Sequence, residues 1–195
     1  MIVGILLAAG ASTRFGGDKL LAELGNGQCV AEVSYANLRP AVDRLIAVVR
    51  PDASALAQRL AAAGAEISVF SGANQGIGAS IAHGVAKTSN ADGWLIALGD
   101  MPLIDRRVAT RIAESLCAGA AIAIPVAHGQ RGHPVGFAHH LLSELTALNG
   151  DIGARIILAK HATDVVEIPV SNANSWLDID NREGLETAKQ LFNRS

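Results

Sequence analysis

Residues 2–19 read IVGILLAAGASTRFGGDK, an apolar run that passes directly into a loop rich in glycine. The run from Ile2 to Leu7 carries no polar side chain, and such continuous Val, Ile and Leu runs are typical of strands covered on both faces. No basic segment precedes the run, and glycine and charge follow it closely, which argues against a secretory signal peptide. The stretch therefore predicts a buried strand of a parallel sheet, followed by a loop at the edge of that sheet.

The same kind of apolar run recurs along the chain, with helical stretches in between. The runs cover residues 45–49, 66–70, 94–98 and 121–125. Two of the intervening stretches, 52–63 and 105–116, have the marks of helices, with Asp52 and Asp105 as N-caps and Gly64 and Gly119 just past the ends. This alternation predicts an α/β fold with a mostly parallel sheet.

The alternation of apolar runs and helical stretches changes after Pro125. A polar loop is expected over residues 126–133, a short strand over 134–137, helices over 139–148 and 152–160, a strand over 165–170 and a closing helix over 181–192. Without an internal repeat or a linker, the chain is expected to be one domain, 1–195. Residues 1–125 would form its nucleotide-binding part, and residues 126–195 its acceptor-binding part and closing helix.

Composition excludes several classes of protein. The formal net charge is −2, and no run of like charges provides the field that binds a nucleic acid or an anionic membrane. No apolar run approaches the roughly 18 residues that cross a bilayer. Cys29 and Cys117 lack a metal-binding or redox spacing and are expected to be reduced. These observations predict a cytoplasmic enzyme that binds small anions locally.

In a doubly wound sheet, ligands bind beyond the carboxyl ends of the strands, so the loops after the strands are the first place to look. The first loop combines Gly10, Gly16 and Gly17 with Arg14 and Lys19. Glycines let backbone amides approach phosphate oxygens, and the cations neutralise the charge of a departing pyrophosphate. The spacing matches neither a Walker A loop nor a dinucleotide fingerprint. We expect a triphosphate site; the alternative is an ordinary turn with surface cations.

The second loop, residues 71–80, contains Gly76, Gly78 and Ser80 and leads into a helix. Its glycine spacing begins like a dinucleotide fingerprint but lacks the third glycine. Backbone groups and the Ser80 hydroxyl can hydrogen-bond the edge of a nucleobase. A base-binding loop is therefore predicted, with a helix-capping turn as the alternative.

The third loop, residues 98–102, places Asp100 after an apolar strand. A carboxylate there can bind Mg²⁺, which prefers oxygen ligands and substrate phosphates. Asp178 and Asp180 are candidates for a second oxygen ligand, because alternation along a strand would put both on one face. Asp180 is preferred, although it could instead cap the last helix. A zinc site is not expected, because the histidines and cysteines lack ligand spacing.

Several motifs together resemble a known family. They are LAAGASTRFGGDK (7–19), GIGAS (76–80), LGDMP (98–102), RGHPVGF (131–137), GDIGAR (150–155) and LDIDNREGL (177–185). In this order they resemble the nucleotidyltransferases that complete the molybdenum cofactor, in the cytidylyltransferase branch. The resemblance implies a Rossmann-like three-layer nucleotidyltransferase fold. It also implies an enzyme that uses CTP and Mg²⁺, with Mn²⁺ as the alternative ion, to join CMP to the terminal phosphate of molybdopterin and release pyrophosphate.

The resemblance also implies roles for particular residues. Nucleotide binding is implied for Leu7, Ala8, Ala9, Gly10, Arg14, Lys19, Gly76, Gly78, Ser80 and Asp100. Of these, Lys19, Arg14 and Asp100 would be catalytic, and Asp100 would hold the metal with Asp180 or Asp178. The pterin phosphate would face Arg131, His133, Asp151 and Arg155. Ala9 favours CTP, because the guanylyltransferase branch typically has glycine there, and a molybdoenzyme client is a further candidate partner.

Two alternatives remain at the level of the sequence. One is a nucleotidyltransferase that uses GTP or another phosphorylated acceptor. The other is a cofactor-binding chaperone without catalytic activity, against which the presence of Arg14, Lys19 and Asp100 argues.

Overall fold

A mixed β-sheet forms the centre of the protein in the computed structural model, which describes residues 1–10, 15–171 and 177–193. The strands are β1 (Ile2–Ala8), β2 (Glu23–Gly25), β3 (Gln28–Cys29), β4 (Arg44–Val49), β5 (Glu66–Val69), β6 (Gly93–Leu98), β7 (Ile122–Ala127), β8 (Gln130–Arg131), β9 (Val135–Ala138) and β10 (Val165–Pro169). The sheet has the order β10-β7-β9-β6-β1-β4-β5, β8 pairs with β7, and β2 and β3 form a separate hairpin.

The sheet is parallel except at β9 and at β8, which runs antiparallel to β7. β1 pairs in parallel with both β4 and β6, and β7 pairs in parallel with β10. β9 runs antiparallel to β6 and β7 on its two sides. Because β9 runs in the opposite direction, its first residues lie at the edge where its neighbours β6 and β7 end.

Helices cover both faces of the sheet. They are α1 (Val30–Leu38), α2 (Ser54–Ala62), α3 (Ile77–Lys87), α4 (Arg106–Cys117), α5 (Leu142–Thr146), α6 (Arg155–Lys160) and α7 (Arg182–Phe192). Along β1, Leu6 packs in a core cluster with residues of α1, α2 and α4, whereas Ile5 packs in the opposite cluster with residues of α3, α5 and α6. This three-layer arrangement confirms the predicted α/β fold.

A third apolar cluster joins the β2–β3 hairpin and α1 to the C-terminal segment. It contains Leu24 of the hairpin, Val30 and Val33 of α1, and Ile179 with Leu185 from the C-terminal segment. Ile179 is fully buried, and its backbone amide donates a hydrogen bond to the Asp100 carbonyl at 3.0 Å. The segment that precedes α7 is thus attached to the turn that follows β6.

Most predicted elements are present, with corrected boundaries. Asp105 caps α4 as expected, its side chain accepting from the Arg107 amide, but α2 begins at Ser54 without a side-chain cap. Asp52 instead forms an ion pair with Arg50 at 3.5 Å. The loop predicted for 126–133 contains the end of β7 and β8, and the helix predicted for 139–148 is a 3-10 turn followed by α5. Throughout the described ranges, every helix is too short or too polar to cross a membrane.

Candidate active site

Two adjoining cavities open at the edge of the sheet where β1 and β6 end. One, here called the Lys19 cavity, has a volume of about 490 Å³, and the other, the His133 cavity, about 520 Å³. Their linings share Leu7, Ile77, Leu98 and Asp151. Ligands in the two cavities would therefore lie next to each other.

The Lys19 cavity brings together most of the residues predicted to bind a nucleotide. Its lining includes Leu7, Ala9, Gly10, Lys19, Gly76, Ser80 and Asp100. Ala8 does not line it, because alternation along β1 directs the Ala8 side chain into the core on the other face of the sheet. Arg14 lies outside the described residues. The roles of these residues remain predictions, but their common location agrees with a single ligand.

Lys19 lies between two carboxylates. Its Nζ is 2.6 Å from Asp100 Oδ2 and 3.2 Å from Asp180 Oδ1. The Lys19 side chain is only 12% exposed. Burial opposes its charge, but hydrogen bonds and attraction from Asp100 and Asp180 outweigh burial and raise the pKa of Lys19. Lys19 is therefore a fixed positive charge in the wall of the cavity.

Local structure positions these charged groups. Asp18 accepts a hydrogen bond from the Leu20 amide at 3.1 Å and so caps the 3-10 turn that carries Lys19. Gly99 extends the pairing of β6 with β1, its amide donating to the Leu7 carbonyl at 2.9 Å, and the Gly99 carbonyl accepts from the Ser34 hydroxyl. Asp100 thus follows a turn that is hydrogen-bonded on both sides.

The second carboxylate comes from the segment that precedes α7. Ile179 is buried between Asp178 and Asp180, both of which are exposed. Partial burial raises the pKa of Asp178, and repulsion from Asp180 and Asp100 adds to this effect. Asp180 is the one that forms an ion pair with Lys19. This contact agrees with the preference for Asp180, although which residue binds metal remains a prediction.

The carboxylates of Asp100 and Asp180 suit a hard divalent cation that takes its other ligands from a bound substrate. Asp100 and Asp180 already share one cation, the Lys19 ammonium. In the described part of the chain, no three His, Cys, Asp or Glu residues are grouped as a complete metal site. Mg²⁺ commonly binds proteins through one or two carboxylates and takes its remaining ligands from water and substrate phosphates. Two carboxylates beside an anion-binding cavity fit that requirement.

The predicted base-binding loop has two kinds of glycine. Gly76 has a φ of 100°, which favours glycine, and it precedes α3 in the wall of the Lys19 cavity. Gly78 does not line the cavity, and its amide donates to the Gly150 carbonyl at 2.8 Å. A Cβ at Gly78 would lie 2.7 Å from the Asn149 carbonyl oxygen. Gly78 therefore lets α3 pack against the turn that holds Gly150 and Asp151.

Arg50, which no sequence motif marks, also lines the Lys19 cavity. Arg50 directly follows β4, and its Nε is buried without a hydrogen-bond partner among the described residues. The same Nε lies 3.5 Å from Asp52 Oδ1, with which it forms an ion pair. This contact is too long for a good hydrogen bond, and a bound ligand could supply a closer acceptor. Its position at the carboxyl end of a strand beside β1 was the available signal.

The His133 cavity has largely apolar walls with polar groups at one side. Apolar side chains in the wall are Leu7, Ile77, Ile81, Ile96, Leu98, Ile124, Val135, Phe137, Ile152 and Leu158. All four residues predicted to face the acceptor, Arg131, His133, Asp151 and Arg155, also line it. Arg131 is paired with Glu167 at 3.2 Å. Two loops far apart in sequence thus converge on one cavity.

His133 lies at the carboxyl edge of β6 because it precedes the antiparallel strand β9. Its Nδ1 is 3.5 Å from the Ile96 carbonyl oxygen. Burial lowers the pKa of His133, and Arg155 adds to this effect, while the Ile96 carbonyl and Asp100 act in the opposite direction. The imidazole is therefore neutral at physiological pH.

Known proteins resemble this chain over nearly its whole length. The bifunctional protein GlmU of Agrobacterium fabrum (strain C58 / ATCC 33970) is 30% identical over 196 residues, which cover 98% of this chain and 41% of that protein. This chain therefore spans less than half of GlmU.

Solved structures resemble it as well. Rv0371c from Mycobacterium tuberculosis H37Rv is 28% identical, with a TM-score of 0.86 and 97% of each chain covered. A structure of Rv0371c in complex with manganese is 26% identical, with a TM-score of 0.81, and covers 97% of this chain and 98% of that one. The molybdopterin-guanine dinucleotide biosynthesis protein A from Archaeoglobus fulgidus has a TM-score of 0.71 over 100% of both chains, and at 20% identity it shows only a shared fold.

The model of one protein family matches most of the chain. The match covers residues 4–165 and belongs to the MobA-like NTP transferase domain. This range contains Lys19 and Asp100 and all the predicted acceptor residues. The chain therefore belongs to the MobA-like NTP transferase domain family and is a nucleotidyltransferase.

Proposed function

We propose that this nucleotidyltransferase transfers CMP from CTP to the terminal phosphate of molybdopterin and releases pyrophosphate. The observation that carries the proposal is the pair of adjoining cavities, with Lys19 and Asp100 in the first and Arg155 and His133 in the second. Group transfer requires donor and acceptor to lie side by side with the reacting atoms aligned. The shared wall of Leu7, Ile77, Leu98 and Asp151 supports that arrangement.

In the proposed reaction, an oxygen of the acceptor phosphate attacks the α-phosphorus of CTP while the bond to pyrophosphate breaks. No protein nucleophile is needed, so positioning and charge stabilisation supply the catalysis. The Lys19 ammonium stabilises the negative charge on the departing pyrophosphate, and Arg14 is proposed to act with it. Asp100 and Asp180 would hold Mg²⁺ or Mn²⁺, and the ion would supply charge withdrawal from the phosphates.

The choice of CTP rests on Ala9, which directly follows β1, and on polar side chains in the same cavity. Ala9 is 7% exposed and lines the Lys19 cavity, so its methyl group takes up space at the ligand. Arg50 and Asn74 line the same cavity and offer hydrogen bonds to a base edge. One methyl group discriminates between ligands by about 1–3 kcal/mol, which is enough to favour the smaller pyrimidine.

The metal assignment is tested with Asp100→Asn, which keeps the shape of the side chain and removes its charge. Turnover with molybdopterin, CTP and Mg²⁺, measured as pyrophosphate release, should fall by about 100-fold or more. Glu186→Gln on the exposed face of α7 is the control and should keep full turnover. Undiminished pyrophosphate release by Asp100→Asn would overturn the assignment.

The base and the acceptor are tested separately. Thermal unfolding with CTP, GTP, ATP or UTP in the presence of Mg²⁺ should show the largest stabilisation with CTP, since a ligand raises stability according to its affinity. A larger shift with GTP would favour the guanylyl alternative. If wild-type protein binds CTP but releases no pyrophosphate with molybdopterin, the acceptor is a different phosphorylated compound or the protein is a carrier of a finished cofactor.

A further inference from the structure

We propose that His133 is a specificity-determining residue that accepts a hydrogen bond from an N–H or O–H group on the body of the acceptor, while Arg155 binds the acceptor's phosphate. The proposal rests on the proposed function and assigns a new task to His133, which the sequence resemblance places at the phosphate. It also defines the acceptor class: a phosphorylated compound with an apolar-faced body and a hydrogen-bond donor on its edge.

The protonation of the imidazole follows from its neighbour. His133 Nδ1 faces the Ile96 carbonyl oxygen, and a carbonyl oxygen only accepts hydrogen bonds. The hydrogen of the neutral ring is therefore on Nδ1. The other nitrogen, Nε2, then carries a lone pair and no hydrogen. Both β6, which contains Ile96, and β9, which follows His133, belong to the central sheet, so the ring is held by rigid elements.

Nε2 is left for a ligand. Nε2 has no hydrogen-bond partner within residues 1–10, 15–171 and 177–193, and the residue itself lines the His133 cavity. Burial lowers the pKa of His133, so the ring is neutral at physiological pH. An oxygen of a phosphate dianion also carries lone pairs and would be repelled by Nε2. A donor group such as N–H or O–H is the partner that Nε2 can bind.

Arg155 is better suited to the phosphate. Its guanidinium carries donors only and forms no ion pair with the residues that the structure describes. Arg131, the other guanidinium of this cavity, is already paired with Glu167 at 3.2 Å. The cavity therefore has a cationic side at Arg155 and a neutral acceptor at His133.

The walls between these groups set the chemistry of the acceptor body. Ile124, Val135 and Phe137 are buried side chains that line the same cavity. They offer no hydrogen bonds, so a body that fits there must present apolar faces and keep its polar groups at its edge. A pterin ring, with N–H groups along its edge, has this distribution.

Two substitutions of His133 test the acceptor at Nε2 separately from the contact between Nδ1 and the Ile96 carbonyl. In His133→Asn, the amide nitrogen can replace Nδ1 toward the Ile96 carbonyl, but no atom replaces Nε2. In His133→Gln, the longer side chain places an amide oxygen near the position of Nε2 and restores an acceptor. Thermal unfolding of both variants checks that each is folded.

With molybdopterin and CTP, His133→Asn should raise the KM for molybdopterin by about tenfold, the usual effect of losing one hydrogen bond. The Kd for CTP should change less than about twofold, because the Lys19 cavity is unaltered, and His133→Gln should recover part of the lost affinity. An unchanged KM in folded His133→Asn would overturn the proposal.

Inorganic phosphate provides a probe that does not depend on the identity of the acceptor. Calorimetric titration should show weaker phosphate binding to Arg155→Met and wild-type binding to His133→Asn. Equal weakening in both variants would mean that His133 binds phosphate, and it would overturn the proposal, as would wild-type binding to Arg155→Met. If wild-type protein does not turn over molybdopterin, the proposed function fails, and the phosphate titration still decides the role of His133.

Discussion

The Lys19 ammonium lies 2.6 Å from Asp100 Oδ2 and 3.2 Å from Asp180 Oδ1, where it neutralises part of the charge of both carboxylates. A divalent cation that binds the same oxygens has to displace it. Triphosphate oxygens offer the displaced ammonium new partners. We therefore expect Lys19 to compete with a metal ion as long as no nucleotide is bound, and to become available to the phosphates when both are present.

Substitution of Lys19 by methionine tests this competition. Without nucleotide, Lys19→Met should bind Mn²⁺ about tenfold more tightly than wild type, because the ammonium no longer neutralises Asp100 and Asp180. Turnover should fall by about 100-fold, because the charge on pyrophosphate loses its partner. Mn²⁺ affinity is measured by electron paramagnetic resonance, with Lys87→Met at the end of α3 as the control. Weaker Mn²⁺ binding in Lys19→Met would contradict this competition.

Single residues were predictable from sequence where a strand end carried a polar group inside a recognisable motif. Asp100 and Lys19 stood in such motifs, and alternation around Ile179 offered both Asp178 and Asp180 as candidates. Arg50 was missed because a single arginine after an apolar run has no motif. The burial of its Nε, which has no hydrogen-bond partner among the described residues, becomes visible only when the surrounding packing is known.

At the scale of elements, the central strands were predicted to within one or two residues because their apolar runs are continuous. α1 was not predicted. It packs Ala31 and Tyr35 into the core beneath the sheet, and Val30 and Val33 into the cluster that contains Ile179. A helix with apolar contacts on two sides has no polar stripe, so its sequence lacks the amphipathic period by which helices are recognised.

Two glycines within helices give opposite expectations. A Cβ at Gly78 in α3 would lie 2.7 Å from the Asn149 carbonyl oxygen, whereas at Gly184 in α7 the nearest atom is 3.5 Å away. Gly78→Ala should lower the free energy of unfolding by about 1–3 kcal/mol through overpacking. Gly184→Ala should raise it by about 0.5–1 kcal/mol, since alanine favours helix. Chemical denaturation measures both.

A functional measurement accompanies the stability test of Gly78. Because α3 packs against the turn that carries Asp151, Gly78→Ala should also raise the KM of the acceptor. Gly184→Ala should leave this KM unchanged. Equal stability and equal KM in Gly78→Ala and wild type would show that the turn moves away without cost.

At the scale of the whole molecule, the site depends on the packing of the C-terminal segment. Ile179 is fully buried in the cluster formed with the β2–β3 hairpin and α1, and it lies directly before Asp180. The sequence predicted the closing helix and the neighbouring acids. It did not predict the cluster, because residues from separate parts of the chain form it.

Ile179→Ala and Leu185→Ala remove apolar groups from the same cluster at different distances along the chain from Asp180. Each should lower the free energy of unfolding by about 2–5 kcal/mol. Ile179→Ala should in addition reduce kcat and weaken Mn²⁺ binding. The smaller side chain packs less firmly in the cluster, so the adjacent Asp180 is held less firmly in place. Similar kcat values in the two folded variants would show that Asp180 is positioned by other contacts.

The hydrogen bond between the Ile179 amide and the Asp100 carbonyl also bears on the order of events during refolding. The central sheet can pair before residues 177–193 have docked, since none of its strands lies in that range. Asp180 reaches Lys19 only when this last segment is in place. After dilution from denaturant, secondary structure should therefore return first and turnover should return later, as α7 and the segment before it settle onto the hairpin.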